Sequence, residues 1–222
     1  MTQNIKKKNS AKAAFELIKP NLNKHTVLGI GTGSTTNFFI DQLNESDIDI
    51  KGAVCSSISS EESLNSSIRV ISLNEVHLID FYIDGADEFN DRFELIKGGG
   101  GALTREKILA YSSDKFICIV DDSKHADLLG KFPLPIEVLE IARSAISREM
   151  MKMGGKPVYR SGFVTDNGNQ IIDVHNLPIE IPFELEEKIN NIPGVVENGI
   201  FSNRKADVII KAKETDVEIL TL

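Results

Sequence analysis

The sequence predicts an α/β protein, in which a parallel sheet with crossover helices carries a smaller, inserted α+β domain. From Thr26 to Val120, short apolar runs alternate with helical patterns, which is typical of a parallel sheet. Beyond Phe132 the order becomes strand, helix, hairpin, helix and strand, as in a ferredoxin-like domain. The last stretch, ADVIIKAKETDVEIL, predicts a strand pair that returns to the first sheet.

The elements of the first, Rossmann-like domain follow in chain order. The strand HTVLGIG precedes the helix TTNFFIDQL, and the strand IKGAVCSS precedes the helix SSEESLNS. Three further strands are IRVIS, LIDFYID and KFICIV, the last of which follows a helix in ALTREKILA. Continuous apolar runs such as FICIV indicate strands that are buried on both faces. The predicted domain comprises residues 1–130 and 207–222.

The smaller domain is predicted over residues 131–206, with a role in oligomerisation. Its strand PIEVLEI leads into the helix ARSAISREMMKMG, and FELEEKINN and VVENGIFS form the later helix and strand. Between them, Asp166-Asn167-Gly168 predicts a hairpin that joins GFVT to QIIDV. Asn-Gly is the favoured pair of a type I′ turn.

Composition excludes several classes of protein. The 222 residues are 41% hydrophobic, and the net charge of −8 offers no basic field for nucleic acid or an anionic membrane. No run approaches the roughly 20 apolar residues of a membrane span. Cys55 and Cys118 form no C-x-x-C pair, which favours a reducing cytoplasm. Lys6, Lys7 and Lys8 are interpreted as the solvated start of a helix.

The segment GIGTGSTT, Gly29 to Thr36, follows a strand and opens a helix, where free N–H groups favour an anion. A dinucleotide fingerprint fails because its third glycine is replaced by Thr36, and a Walker loop fails for lack of Gly-Lys-Ser/Thr. A cradle for a small phosphate monoester remains, and a plain tight turn with a hydroxyl N-cap is the alternative. The cradle residues are Thr32, Gly33, Ser34 and Thr35.

The segment DGADE lies at the carboxyl end of the strand FYI, where open α/β sheets bind ligands. Its acids Asp84 and Asp87 could bind sugar hydroxyls, transfer protons or hold a cation, or they could simply form a turn. A cation would need further ligands such as Asp121 and Asp122. The four histidines have no pairing spacing, and no metal site is predicted.

Four consecutive glycines in KGGGGALTREKILA suggest a loop built around a ligand, because each glycine is costly inside a regular element. Glu106 then falls within a helical stripe of apolar residues. Burial there would raise its pKa, as suits a proton-transferring group. The equal alternative is a solvated Glu in the charge run Arg105-Glu106-Lys107. The stripe consists of Ala102, Leu103, Leu109 and Ala110.

Two lysines complete the set of candidate residues. Lys97 enters the glycine run, and Lys124 follows the strand FICIV, so either ammonium could neutralise a phosphate or an oxyanion. Each could also be a solvated surface residue. Together these features suit proton abstraction next to the carbonyl of a sugar phosphate, through an enediolate and without a redox cofactor.

The chain resembles the ribose-5-phosphate isomerase type A family over nearly its whole length. The resemblance is carried in order by GTGST, DGADE, KGGGGALTREK, KFICIVDDSK, GKFPLPIEV, VTDNGN and NIPGVVENGIFSNRKADV. It implies the interconversion of ribose 5-phosphate and ribulose 5-phosphate in the non-oxidative pentose phosphate pathway. It also implies that no metal or cofactor is used, and that the protein is a homodimer or homotetramer.

The resemblance also implies roles for single residues. Glu106 would shuttle the proton between C1 and C2, and Lys97 would stabilise the enediolate. Asp84 would assist ring opening, and Asp87 would orient hydroxyls. The implied substrate contacts are Thr32, Gly33, Ser34, Thr35, Asp84, Gly85, Ala86, Asp87, Lys97, Gly98, Gly99, Gly100 and Lys124. Gly101 stands where an alanine is expected.

Three rival interpretations stay open at the level of sequence. A sugar-phosphate sensor would use the same cradle without turnover, but it gives no reason for a carboxylate in an apolar stripe. An acyl-CoA transferase would need room for a large nucleotide. A nucleotide-dependent dehydrogenase is disfavoured by the missing fingerprint.

Overall fold

The computed structural model describes residues 2–222, and no helix within them is long and apolar enough to cross a membrane. The helices are α1 (Thr2–Ile18), α2 (Ser34–Asn44), α3 (Ile58–Ser63), α4 (Leu103–Tyr111), α5 (Arg143–Lys152) and α6 (Pro182–Asn190). The strands are β1 (Val27–Ile30), β2 (Gly52–Cys55), β3 (Ile79–Asp84), β4 (Glu88–Phe89), β5 (Leu95–Ile96), β6 (Ser113–Asp121), β7 (Leu134–Val138), β8 (Lys156–Tyr159), β9 (Gln170–His175), β10 (Val195–Asn198), β11 (Ile200–Phe201), β12 (Val208–Ala212) and β13 (Val217–Thr221).

The chain divides into two compact units. The first comprises the described residues up to Gly85, together with Ile108–Ser123 and Ala206–Leu222. The second comprises Ala86–Lys107 and Lys124–Lys205. The domain limits predicted from the sequence assign residues 86–107, 124–130 and 206 differently. As limits of independently folding domains they stay a prediction.

The first unit is built on a six-stranded sheet in the order β13-β12-β6-β3-β1-β2. All neighbours are parallel except β12 and β13, which are antiparallel. The predicted parallel sheet and the return of the C-terminal strand pair are confirmed. Apolar side chains of α1 and α2, such as Phe15 and Phe39, pack with Leu28, Ile83 and Ile119 of the sheet. This core fixes the carboxyl ends of β1 and β3.

The predicted strand IRVIS is wrong as a regular strand. It makes one isolated bridge, between Ala53 and Val70, with hydrogen bonds of 2.9 Å on either side. The chain turns at both ends of this contact. Ile68 N–H donates to the carbonyl of Asn65, and the hydroxyl of Ser72 caps a short 3₁₀ turn. The run is therefore too short to extend the sheet.

The second unit contains an antiparallel sheet in the order β10-β7-β9-β8 and a small sheet in the order β11-β5-β4. The four-stranded sheet has the βαββαβ succession and confirms the predicted ferredoxin-like arrangement. Helix residues such as Ile146 and Ile189 pack with Ile136, Ile172 and Val174 of the strands. This apolar layer supports one face of the sheet.

The predicted hairpin is only partly right. Strand β9 pairs with Lys156–Tyr159 and not with GFVT, which lies in the loop before the turn. The turn is not type I′, because Gly168 has a positive φ and Asn167 does not. The amides of Asn167 and Asn169 donate to the buried carboxylate of Glu137, so a tertiary contact sets the turn conformation.

Candidate active site

In the first unit, the GTGST loop joins β1 to the start of α2. The N-cap is Gly33, with φ 121° and no side-chain cap, so the alternative of a hydroxyl N-cap is wrong. The ammonium of Lys7 lies 2.9 Å from Ser34 Oγ. A half-buried lysine thus adds positive charge to an exposed helix start.

The loop is braced by hydroxyls at the carboxyl end of β2. Thr32 Oγ1 lies 2.7 Å from Ser56 Oγ and 2.8 Å from Ser57 Oγ. Ser60 Oγ donates to the carbonyl of Gly31 over 2.6 Å. The side chain of Thr32 is therefore engaged within the unit. Sequence reasoning noted the serines only as the end of a strand.

Asp84 ends β3 and is fully buried. Its Oδ1 accepts from the N–H groups of Thr32, at 3.0 Å, and Gly85, at 2.7 Å, and more weakly from the hydroxyl of Thr36. Its Oδ2 accepts from the hydroxyl of Tyr82. Both oxygens of the carboxyl group thus accept hydrogen bonds within the first unit. Asp84 also fixes the cradle, because it binds the backbone of the GTGST loop.

Tyr82 was missed by sequence reasoning. It lies two residues before Asp84 on the same strand, so both side chains face the same side of the sheet. Its ring stacks on Phe116 with centroids 4.9 Å apart, which places the phenol hydroxyl. The sequence did contain a signal for this contact, because a tyrosine two residues before an acid in a buried strand lies on the same face as the acid.

In the second unit, the glycine run follows β5 and precedes α4. Gly98 and Gly101 have positive φ values of 106° and 85°. A Cβ at Gly101 would lie 2.2 Å from the ring of Phe163, so alanine does not fit there in this chain. Asp87 Oδ2 accepts from the N–H of Gly99 over 2.7 Å, which ties DGADE to the glycine run.

Lys97 and Glu106 form a buried ion pair. Lys97 Nζ lies 3.2 Å from Glu106 Oε2, and both side chains are nearly inaccessible. The ammonium also lies 5.5 Å from the ring centre of Phe201. The interpretation of Glu106 as a solvated charge is wrong. Two effects on Glu106 oppose each other. Burial disfavours its charged carboxylate, whereas the adjacent ammonium of Lys97 favours the charged carboxylate, which is the form that can accept a proton.

The residues around Glu106 are each held by another part of the second unit. The hydroxyl of Thr104 donates to Glu137, and Arg105 Nε donates to Asn167 Oδ1 over 2.8 Å. Lys107 donates to two carboxylates and a carbonyl. These acceptors are Glu186 at 2.8 Å, Glu197 at 2.9 Å and the carbonyl of Ile200 at 2.7 Å. The turn of α4 that carries Glu106 is thus anchored on three sides.

The remaining candidates have simpler surroundings. Lys124 is half-buried, and its ammonium has no ion pair among residues 2–222. Asp122, considered for a cation, pairs with Lys6 at 2.7 Å, which raises the pKa of Lys6 and lowers that of Asp122. Lys6 is therefore not simply solvated. Asp121 accepts from the hydroxyl of Ser123.

The chain is similar to known proteins over its full length. Residues 52–215 match the family model of ribose 5-phosphate isomerase A (phosphoriboisomerase A). The structure of ribose 5-phosphate isomerase A from Neisseria gonorrhoeae is 49% identical, with 99% of this chain and 97% of that chain covered and a TM-score of 0.95. The enzyme from Methanocaldococcus jannaschii is 39% identical, with 97% and 98% covered and a TM-score of 0.89.

A third structure includes a ligand. It is a D-ribose-5-phosphate isomerase in complex with phospho-erythronic acid, 39% identical to this chain. Both chains are covered completely, and the TM-score is 0.93. These identities and TM-scores show homology as well as a shared fold.

Proposed function

Because the chain belongs to the ribose 5-phosphate isomerase A family, we propose that its buried Lys97–Glu106 pair carries the proton transfer of an aldose-ketose isomerase. The reaction is the interconversion of D-ribose 5-phosphate and D-ribulose 5-phosphate. The observation that carries the assignment is the 3.2 Å pair itself, since a base lies directly beside a cation. An isomerisation through an enediolate needs a base for the proton on carbon and a group that stabilises the developing oxyanion, and a cation is suited to the second task.

The proposed chemistry conserves every atom. The carboxylate of Glu106 takes the proton from C2, the C–H electron pair forms the C1–C2 double bond, and negative charge develops on O1. Return of that proton to C1, with transfer of the O2 hydroxyl proton to O1, gives the ketose. The ammonium of Lys97 stabilises the charge on the oxygen, which is the largest contribution in many enzymes of this kind.

Ring opening precedes proton transfer when the aldose is bound as a furanose. We assign assistance in this step to Asp84, which would take the proton of the O1 hydroxyl and return one to the ring oxygen. Four hydrogen-bond donors fix the position of its carboxyl group at the end of β3, which supports this assignment.

The phosphate group is assigned to the cradle Thr32–Thr35. The uncapped start of α2 and the ammonium of Lys7 support this assignment, because both favour an anion. Lys124 is assigned a substrate contact, supported by its lack of an ion pair among the described residues. We further assign Gly85, Ala86 and the backbone of Gly98–Gly100 to the sugar, with Asp87 orienting its hydroxyls.

A homodimer or homotetramer is proposed, with the smaller domain as its interface. Several large apolar side chains of the second unit are exposed, which supports this assignment. They are Leu139, Ile141, Val164, Ile181 and Phe183. A cytoplasmic location and a place in the pentose phosphate pathway are proposed with it, and the free thiols of Cys55 and Cys118 suit a reducing compartment.

The deciding experiment measures ketopentose formation from ribose 5-phosphate by the purified protein in EDTA. Glu106→Gln keeps the shape of the side chain but removes the base, and turnover should fall by at least about 10²-fold. Glu187→Gln, the same change at an exposed position of α6, should leave turnover unchanged. Normal turnover by folded Glu106→Gln would show that the base lies elsewhere. Binding of ribose 5-phosphate without turnover by the wild type would favour a sugar-phosphate sensor.

The carboxylate of phospho-erythronic acid resembles the charge of the enediolate, and the structure of a relative holds this compound. We therefore expect it to inhibit this protein competitively with ribose 5-phosphate. Lys97→Met should weaken that inhibition because the cation is removed.

A further inference from the structure

We propose that Arg160 is a positioning residue of the reaction, which orients the glycine run by holding two of its carbonyl groups. Both terminal nitrogens of the guanidinium donate to the carbonyl of Gly98 at 3.3 Å. Nη1 also donates to the carbonyl of Gly99 at 3.2 Å. One side chain thus grips two consecutive peptide groups of the loop.

Arg160 is itself held rigidly. Its Nε lies 2.8 Å from Asp173 Oδ2, and Nη2 lies 2.5 Å from Asp173 Oδ1, so the pair is bidentate. The guanidinium lies 5.4 Å from the ring centre of Phe163, and the Arg160 N–H donates to the carbonyl of Ile171. A planar, bidentate guanidinium is suited to fixing carbonyl groups in one orientation.

The hydrogen bonds of Arg160 fix the orientation of two peptide groups in the glycine run. In a trans peptide the carbonyl and the N–H point in opposite directions. Arg160 takes the carbonyl of Gly98, and Asp87 takes the N–H of Gly99, so this peptide is clamped at both ends. The next peptide is held at the carbonyl of Gly99, which turns the N–H of Gly100 away from Arg160.

The N–H of Gly100 has no acceptor among residues 2–222, and Gly100 is exposed. It is a fixed donor three residues along the chain from Lys97. The inference rests on the proposed function, because it assigns this N–H to an oxygen of the bound sugar on which charge develops. A donor oriented before the reaction stabilises that charge without reorganisation.

The test compares steady-state turnover of ribose 5-phosphate by Arg160→Met and by Arg148→Met, an exposed control on α5. For Arg160→Met we expect kcat to fall by about 10²-fold, the usual effect of losing one such donor, with a smaller change in KM. Arg160→Lys should be intermediate, because an ammonium does not span two carbonyls as a fork does. Arg148→Met should match the wild type.

A rescue experiment separates positioning from a general structural role. Added methylguanidinium should restore part of kcat to Arg160→Ala and should do nothing for Glu106→Gln. If Arg160→Met does not fold, Asp173→Asn replaces it, since it loosens the bidentate pair with no loss of side-chain volume. Unchanged kcat in the folded variant, or a loss without rescue, overturns this inference alone. An inactive wild type overturns the proposed function instead.

Discussion

Removal of one buried hydroxyl, by Tyr82→Phe, tests how Asp84 is held. The substitution deletes the hydrogen bond to Asp84 Oδ2 and leaves the ring on Phe116. A hydrogen bond to a charged group contributes about 1.5–3 kcal/mol. Both residues are fully buried, so water does not replace the lost donor. The other three donors remain on Oδ1, so the lower half of that range is expected.

The assay is urea unfolding followed by circular dichroism, with Tyr111→Phe as the matched control. Tyr111 is 82% exposed and undergoes the same chemical change. The control should alter the free energy of unfolding by less than about 0.5 kcal/mol. Equal stability of the two variants would refute the conclusion that the phenol of Tyr82 stabilises the buried side chain of Asp84.

The same variant tests the proposed role of Asp84 in catalysis. Exchange of the C1 hydrogen of ribulose 5-phosphate with solvent needs proton transfer but no ring opening, since this ketose cannot close a furanose ring through its phosphorylated C5 oxygen. Tyr82→Phe should therefore slow turnover of ribose 5-phosphate more than it slows this exchange. Equal slowing of both would place Asp84 outside ring opening.

Two further predictions concern the second unit. Gly101→Ala should destabilise the protein by more than about 1 kcal/mol, because φ is 85° and the ring of Phe163 occupies the Cβ position. In a double-mutant cycle of unfolding free energies, Phe163→Ala should relieve part of this destabilisation. Burial alone raises the pKa of Glu94, but its hydrogen bonds and the nearby charge of Arg92 outweigh burial and lower it below the ordinary 4.5. The contribution of ionised Glu94 to the free energy of unfolding is complete above pH 4.5 and is lost as the pH falls through the lower pKa of the folded state. Between roughly pH 5 and 3, Glu94→Gln should therefore lose less stability than the wild type. The donors to Glu94 are Asn90, Arg92 and Ser202.

The strands of the first sheet could be predicted because burial on both faces leaves continuous apolar runs, as in FICIV. The hairpin turn could not, because its conformation depends on Glu137, a residue thirty positions away that no local pattern links to Asn167. IRVIS has the composition of a strand, but it forms a single bridge, between Val70 and Ala53, where a regular strand would form several.

For the candidate site, the segments that carry the functional residues could be predicted from the sequence, but most of their contacts could not. Glu106 stood out as an acid in an apolar stripe, and it is buried as that pattern suggested. Lys7 and Arg160 were missed because a lysine in a helix and an arginine after a strand are usually solvated. Their roles depend on partners far along the chain, Ser34 and the carbonyls of Gly98 and Gly99.

The order of strands in the first sheet constrains when the protein can fold on the ribosome. Strand β12 lies between β6 and β13, so the sheet lacks two of its six strands until Val208–Thr221 has been synthesised. All residues of the second unit are synthesised earlier. Before β12 is available, β6 therefore presents an open edge, and pairing across about ninety residues of chain makes closure slow. Chains truncated before Val208 are thus expected to depend on chaperones, whereas chains that include β12 and β13 complete the sheet.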